Sequence, residues 1–112
     1  MTQPAPERFI LQFGDLVIDL AHYRVLVADQ PVLLSYREYA LLVYLAGRVG
    51  QVVPSRQLLE EGLGRHDLGG LRMVEEHIRH LRSKLERDGH PLIAEVPGTG
   101  YRFVRQPGAY VT

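Results

Sequence analysis

The sequence predicts an α+β fold: an N-terminal four-stranded antiparallel sheet, then three helices, then a C-terminal β-hairpin. Three observations carry this. Four short β-type runs, at residues 9–13, 16–20, 24–28 and 31–34, are separated by connections of only two or three residues. Apolar residues then recur at spacings of three and four through residues 35–85. Two last β-type runs, 92–96 and 101–105, flank Pro97-Gly98-Thr99-Gly100.

The sheet comes first. Leu16, Ile18 and Leu20 alternate with Val17 and Asp19, and Gly14-Asp15, Ala21-His22-Tyr23 and Asp29-Gln30 supply the turns. Such short connections predict an antiparallel meander whose last hairpin tip is Asp29-Gln30. Ser35-Tyr36-Arg37-Glu38 is a capping box, in which the Ser35 hydroxyl accepts from the Glu38 amide and the Glu38 carboxylate from the Ser35 amide. The first helix runs to about Arg48, with Tyr39, Leu42, Val43 and Ala46 on one face, and Gly47 or Gly50 ends it. Pro54-Ser55 opens a shorter second helix containing Leu58, Leu59 and Leu63. A glycine-flanked polar loop through Arg65-His66-Asp67-Leu68 leads to the third helix, which Arg87-Asp88-Gly89-His90-Pro91 stops. Helix–turn–helix followed by a hairpin has the layout of a winged helix.

With 112 residues, 46% of them hydrophobic and 23% charged, the chain is expected to form one globular domain. Residues 1–8 read as a linker or tail, 9–106 as the domain and 107–112 as a C-terminal tail. The absence of cysteine removes disulfides, thiol catalysis and Cys-ligated zinc. No apolar run reaches membrane-spanning length and the first residues lack a signal-peptide core, so a cytoplasmic location is expected. Net charge is zero, but residues 1–71 hold six Arg against eight acids, and residues 72–112 hold seven Arg or Lys against five. Twelve of the thirteen basic residues are Arg, the residue suited to planar bidentate recognition.

The third helix carries the most chemistry. Leu71, Val74, Ile78, Leu81 and Leu85 form its apolar stripe, while Arg72, His77, Arg79, His80, Arg82 and Lys84 lie on its other side. A helix with one buried and one guanidinium-rich face fits the major groove of DNA, where Arg reads base edges and neutralises phosphates. The same pattern also describes a solvated surface helix.

Three segments resolve that ambiguity. Leu34-Ser35-Tyr36-Arg37-Glu38-Tyr39-Ala40-Leu41-Leu42 is similar to an "L-T-x-x-E-x-x-L-L" helix opening. Residues 74–85 are similar to "V-D-V-H-I-x-x-L-R-x-K-L", and Gly98-Thr99-Gly100-Tyr101-Arg102-Phe103 matches "G-T-G-Y-R-F". Together they resemble the DNA-binding effector domain of OmpR/PhoB-type response regulators, over roughly residues 9–104. The resemblance implies sequence-specific binding of double-stranded DNA in transcriptional regulation, without catalysis or cofactor. It places a recognition helix at 71–86 in the major groove and a wing at 97–102 at the minor groove or backbone. It also implies a monomer in isolation, a head-to-tail dimer on direct-repeat sites, RNA polymerase as a partner, and a receiver domain N-terminal in a longer parent chain.

Carried over position by position, the resemblance makes Arg72 a DNA contact and His77 a phosphate contact, the alternative for His77 being a partly buried helix residue. Arg79 and Arg82, three apart, match basic positions reaching bases or phosphates, with Arg79 the candidate for a guanine edge. Their alternative is pairing with Glu75 or Glu86 at helical spacing. His80 stands where the family often has Arg, so its contribution is expected to be weaker and pH-dependent. Thr99, Gly100 and Tyr101 sit in the wing turn, with Gly98 and Gly100 permitting positive φ and close approach to phosphate, and Tyr101 is expected to pack its ring on the core with its hydroxyl available to phosphate. Arg102 and Arg105 are expected on the DNA side or, alternatively, only to keep the hairpin soluble, and Ser55 as a helix cap or, by analogy, a phosphate contact.

The chain also departs from the family pattern. Pro97 replaces the Arg that enters the minor groove in many relatives, and Leu63 replaces a frequent Trp. Glu76 puts an acid where the family is often apolar; it repels phosphate unless it turns away or accepts from a cytosine amine. Two rival functions follow from the residues. His77-x-x-His80 has metal-ligand spacing but lacks a nearby third ligand, and no nucleophile, Walker-loop or paired-carboxylate motif supports an enzyme. Neutral charge, Glu75, Glu76 and the missing wing Arg suit a winged helix used mainly for protein–protein contact, with weak DNA binding.

Overall fold

The computed structural model describes residues 9–64, 67–87, 89–105 and 110–111. Four strands form the expected N-terminal meander: β1 (Ile10–Phe13), β2 (Leu16–Asp19), β3 (Arg24–Val27) and β4 (Gln30–Pro31). Each hairpin is closed by chemistry local to its turn. Phe13 pairs with Leu16 across Gly14, whose φ of +60° begins the tight connection. The β2–β3 loop is organised by Asp19, whose Oδ1 accepts from the amides of Ala21 and His22 and whose Oδ2 accepts from Arg24. Burial pushes the Asp19 carboxyl up, but the hydrogen bonds from Arg24 and His22 outweigh it and hold the group below 3.8.

Register identifies the sheet's apolar face. Leu11, Ile18 and Val25 lie opposite one another, as do Phe13, Leu16 and Val27, and Phe13, Leu16, Ile18 and Val25 are buried. The last hairpin departs from expectation. Val27 pairs with Gln30, so the tip is Ala28-Asp29 rather than Asp29-Gln30, with φ of +49° and +65°. Two consecutive positive φ values are the signature of a type I′ turn, a conformation in which Ala is rare; sequence preference therefore shifts the expected tip by one residue. Tyr110–Val111, inside the segment expected as a tail, adds a fifth strand, β8, antiparallel to β1, giving the order β4-β3-β2-β1-β8. Two residues are too short for a period-2 signal.

Residues 34–104 form a separate compact unit. Its first helix, α1 (Tyr36–Ala46), has the full capping box: the Glu38 amide donates to Ser35 Oγ at 3.2 Å and the Ser35 amide to Glu38 Oε1 at 2.9 Å. The helix ends at Ala46 with Gly47 as its cap, two residues short of Arg48. Its buried face is Glu38, Leu41, Leu42, Leu45 and Ala46; Tyr39 and Val43 are half-buried, so the apolar stripe is turned from the expected one. Strand β5 (Val52–Pro54) precedes the second helix, where the sequence pattern predicts no strand. A Val pair ended by proline carries no alternation, and Pro54 is tolerated because β5 is an edge strand. The second helix, α2, starts at Ser55–Gln57 and widens into π-type turns over Leu58–Leu63. Helix α1 holds it through Tyr44, whose hydroxyl donates to Glu61 Oε1 and accepts from Gln57 Nε2, both at 2.7 Å.

The recognition-type helix is α3 (Leu71–Leu85), with Val74, Ile78, Leu81 and Leu85 buried and Leu71 at the edge of the stripe, 38% exposed. After it come β6 (Ile93–Val96) and β7 (Gly100–Phe103), joined by a three-residue turn in which Gly98 has a φ of +75°. Because β5 pairs with β7 on the side opposite β6, the wing is rooted in a three-stranded sheet, β5-β7-β6, and not in a free hairpin. Gly100 makes that pairing possible. A Cβ at this position would collide with the backbone of Val53, and would come within 2.8 Å of Pro54 Cα and 2.9 Å of Ser55 N. Gly100→Ala is therefore expected to destabilise the protein by about 1–3 kcal/mol, the usual cost of overpacking, read as a lower denaturation midpoint.

Candidate nucleic-acid interface

Helix α3 is seated by its apolar stripe and locked in rotation by charge. Lys84 donates from Nζ to Glu38 Oε1 at 2.6 Å, tying the C-terminal half of α3 to the capping box of α1. Glu38 is buried, and its other oxygen lies 3.9 Å from His80 Nδ1. Burial pushes the Glu38 carboxyl up, yet the hydrogen bonds from Lys84 and the Ser35 amide dominate and hold it below the ordinary 4.5. A second tie holds the approach to α3. Arg37 grips Asp67 with two parallel bonds, Nε to Oδ2 at 3.0 Å and a terminal nitrogen to Oδ1 at 2.9 Å. Asp67 also accepts from the Gly69 amide at 2.8 Å; that bond is the largest influence on its carboxyl, which lies below the ordinary 3.8 despite burial. Neither tie was legible in the sequence, because the partners are separated by 46 and 30 positions.

With α3 fixed in this way, the expected contact residues fall into three sets. Arg72 and Arg79 are exposed, and among the described residues neither side chain has a hydrogen bond or ion pair. His80 is also exposed, its ring 6.2 Å from that of His77. These three side chains are available to a ligand.

The second set is available only in part. Arg82 is half-buried and its Nε donates to Glu86 Oε1 at 3.3 Å, an i,i+4 pair exposed enough to be worth a few tenths of a kcal/mol. His77 is half-buried with Nδ1 2.9 Å from the Met73 carbonyl oxygen. That bond requires the proton on Nδ1 and leaves Nε2 as the outward atom. Ser55 is not a helix cap: Pro54 holds that position, the Ser55 side chain makes no capping bond, and its amide donates to Thr99 O at 3.1 Å. The reason is β5, which delivers the chain to α2 already paired with β7. The Ser55 hydroxyl instead borders a cleft shared with Leu71, Glu75 and Thr99.

In the third set, at the wing, Gly100 departs from expectation. Thr99 is exposed at the wing tip, but Gly100 is buried under Val53–Ser55 backbone and its φ is not positive, so close packing, not turn conformation, requires this glycine. Tyr101 is buried, only 6% exposed, and burial together with Glu95 and Glu75 pushes its hydroxyl above 10.0. A phenol flanked by carboxylates is poorly placed to receive a phosphate. Arg102 is exposed but alternates with Tyr101 and Phe103, so it leaves the opposite face of β7 from the one that meets α3.

Between α3 and the hairpin lies an open groove of about 570 Å³, whose charged lining is Arg79 and Arg82 against Glu75, Glu86 and Glu95, with Tyr101 beside them. The outer surface of α3, not this groove, is thus where cationic character gathers. Among the described residues no cluster of His, Asp or Glu is arranged to hold a metal ion, and no helix is long and apolar enough to cross a membrane.

Residues 29–103 match the family described as transcriptional regulatory protein, C terminal. The transcriptional regulatory protein SrrA of Staphylococcus aureus is 39% identical over 99 residues, which are 86% of this chain and 41% of SrrA. The chain thus spans about two fifths of the length of such curated relatives. Among solved structures, the Thermotoga maritima response regulator DrrB, an OmpR/PhoB homologue, superposes with a TM-score of 0.77 at 32% identity, covering 86% of this chain and 44% of DrrB. The Klebsiella pneumoniae RstA DNA-binding domain, solved in complex with the RstA box, gives a TM-score of 0.73 at 32% identity, covering 85% and 96% of the two chains.

The depressed carboxyls of Glu38 and Asp67 favour the folded state above the ordinary carboxylate range, and that contribution is lost as pH falls through their folded values. Stability is expected to fall on acidification below the ordinary glutamate value of 4.5. Glu38→Gln should lower stability at neutral pH and flatten this acid dependence in pH-resolved chemical denaturation.

Proposed function

The chain belongs to the C-terminal domains of transcriptional regulatory proteins, as an OmpR/PhoB-type response-regulator effector, and from that premise we propose that it binds duplex DNA sequence-specifically to regulate transcription. The observation that carries this reading is the unpaired state of Arg72 and Arg79 on the exposed face of a helix whose opposite face is buried. A guanidinium without an internal partner keeps its donors for a base edge or phosphate, and a helix of 15 residues is long enough to lie along the major groove. Arg79 takes a guanine edge; Arg72 and His80 take backbone phosphates, and His77 does so through Nε2 as the doubly protonated ring, the only form that donates from both nitrogens. Arg82 joins them after exchanging its weak pair with Glu86 for a phosphate. At the wing, Thr99 and its neighbouring turn amides meet the backbone, and Ser55 does so at the start of α2.

The parent protein, in this proposal, carries a receiver domain N-terminal to this one, works in the cytoplasm, and assembles head-to-tail on direct repeats with RNA polymerase as a partner. The relatives' greater length supports a longer parent. A second reading has one specific observation behind it: three carboxylates against two guanidiniums in the groove between α3 and the wing suit a protein partner better than a phosphate backbone. Salt separates the two, because affinity that depends on several phosphate contacts falls steeply with ionic strength.

With a selected operator, Arg79→Ala is expected to weaken specific binding by about 1–3 kcal/mol and relax preference at one base, leaving thermal stability unchanged. Arg72→Ala should weaken binding to all sequences alike and reduce the log–log salt slope by about one. Retained affinity in both variants would overturn these roles of Arg72 and Arg79, and a flat salt response of the wild-type protein would overturn the DNA reading.

A further inference from the structure

We infer that Glu76 sets base specificity, its carboxylate accepting a hydrogen bond from the N4 amine of a cytosine in the major groove; this rests on the DNA-binding reading above. The buried stripe of α3 is Val74, Ile78, Leu81 and Leu85. At 3.6 residues per turn, the direction opposite that stripe runs through Glu76. Glu76 is exposed, one turn from exposed Arg72 on one side and one turn from exposed His80 on the other. Although i,i+4 spacing offers it both neighbours, among the described residues its carboxylate has no hydrogen bond or ion pair. Its neighbour Glu75 is different, because it turns toward Glu95 and Tyr101 in the groove beside the hairpin.

A side chain in this central position meets the floor of whatever groove the helix enters. An ionised carboxylate only accepts hydrogen bonds, and the phosphates on either side repel it. The major groove offers two donors, the N4 amine of cytosine and the N6 amine of adenine. Beside adenine N6 lies the acceptor N7, which repels a carboxylate, whereas the cytosine edge presents no acceptor next to N4. Cytosine is therefore the base that compensates Glu76 for losing water. The partner guanine presents O6 and N7 in the same base pair, and an Arg beside Glu76 has the complementary donors. The acid lowers affinity for DNA in general and returns it at one base, which is selectivity obtained partly by repulsion.

The test is selection of bound duplexes from a random library by the 112-residue chain and by its Glu76→Ala and Glu76→Gln variants, with thermal melting to verify folding. The expected wild-type motif contains one position preferring cytosine by about tenfold. Glu76→Ala should erase that preference alone and raise affinity for unrelated DNA, and Glu76→Gln should move the position toward adenine. If the wild type selects a motif that both folded variants reproduce at every position, Glu76 is merely a repulsive acid and the inference fails while DNA recognition stands. If the wild type selects no motif, both fail together.

Discussion

The rotation of α3 about its own axis is the constraint on which the interface depends. Four buried side chains, Val74, Ile78, Leu81 and Leu85, fix which way the helix faces, and burial of each is worth about 1.5–3 kcal/mol. Apolar packing alone tolerates some rolling, and Lys84 removes it. Its ammonium reaches the buried Glu38 carboxylate, which also completes the cap of α1, so helix start and helix rotation share one acceptor. Lys84 is the single lysine among thirteen basic residues. A compact ammonium suits one buried oxygen, and the planar guanidiniums are left for surfaces where two parallel donors have a use.

Charge along α3 is accordingly divided by direction. On the side toward α1, cations are consumed internally by Glu38. On the side toward the wing, Arg82 is lightly engaged by Glu86, and burial, aided by Glu95 and Glu75, pushes the Tyr101 hydroxyl up. On the outermost strip, Arg72, Glu76 and Arg79 have no hydrogen bond or ion pair among the described residues, and His80 keeps only its 3.9 Å approach to Glu38 and a ring contact with His77. This division explains how a chain of zero net charge can serve a polyanion: cations gather in a narrow stripe, while Glu38, Asp67 and Glu86 are engaged in the fold and Glu76 alone brings an acid into the stripe's centre.

The wing depends on a different device. Gly100 lets β5 approach β7 closely, and that pairing carries the Ser55 amide to the Thr99 carbonyl. The turn is thereby tied to the start of α2, and the wing tip is supported from below. The cost is that Gly100 and Tyr101 are withdrawn from the surface, which leaves Thr99 and the turn backbone as its outward elements.

Much of this was legible in residue order. The capping box, the α3 stripe and the hairpin around Gly98 are local patterns, set by backbone geometry within a few residues, and each formed as read. Where a pattern was too short or depended on a distant segment, the sequence was silent or misleading. Val52–Pro54 and Tyr110–Val111 are strands only because β7 and β1 supply their partners. Arg37–Asp67 and Lys84–Glu38 join residues far apart in the chain, and no spacing rule links them. The roles of Gly100, Tyr101 and Arg102 turned on which face of β7 each occupies and on what packs over it. By itself, then, the sequence determined the locally coded elements and the family, because these follow from periodicity and local motifs. Tertiary structure decided which charged side chains stay free, because an ion pair depends on distances across the fold that chain order does not encode.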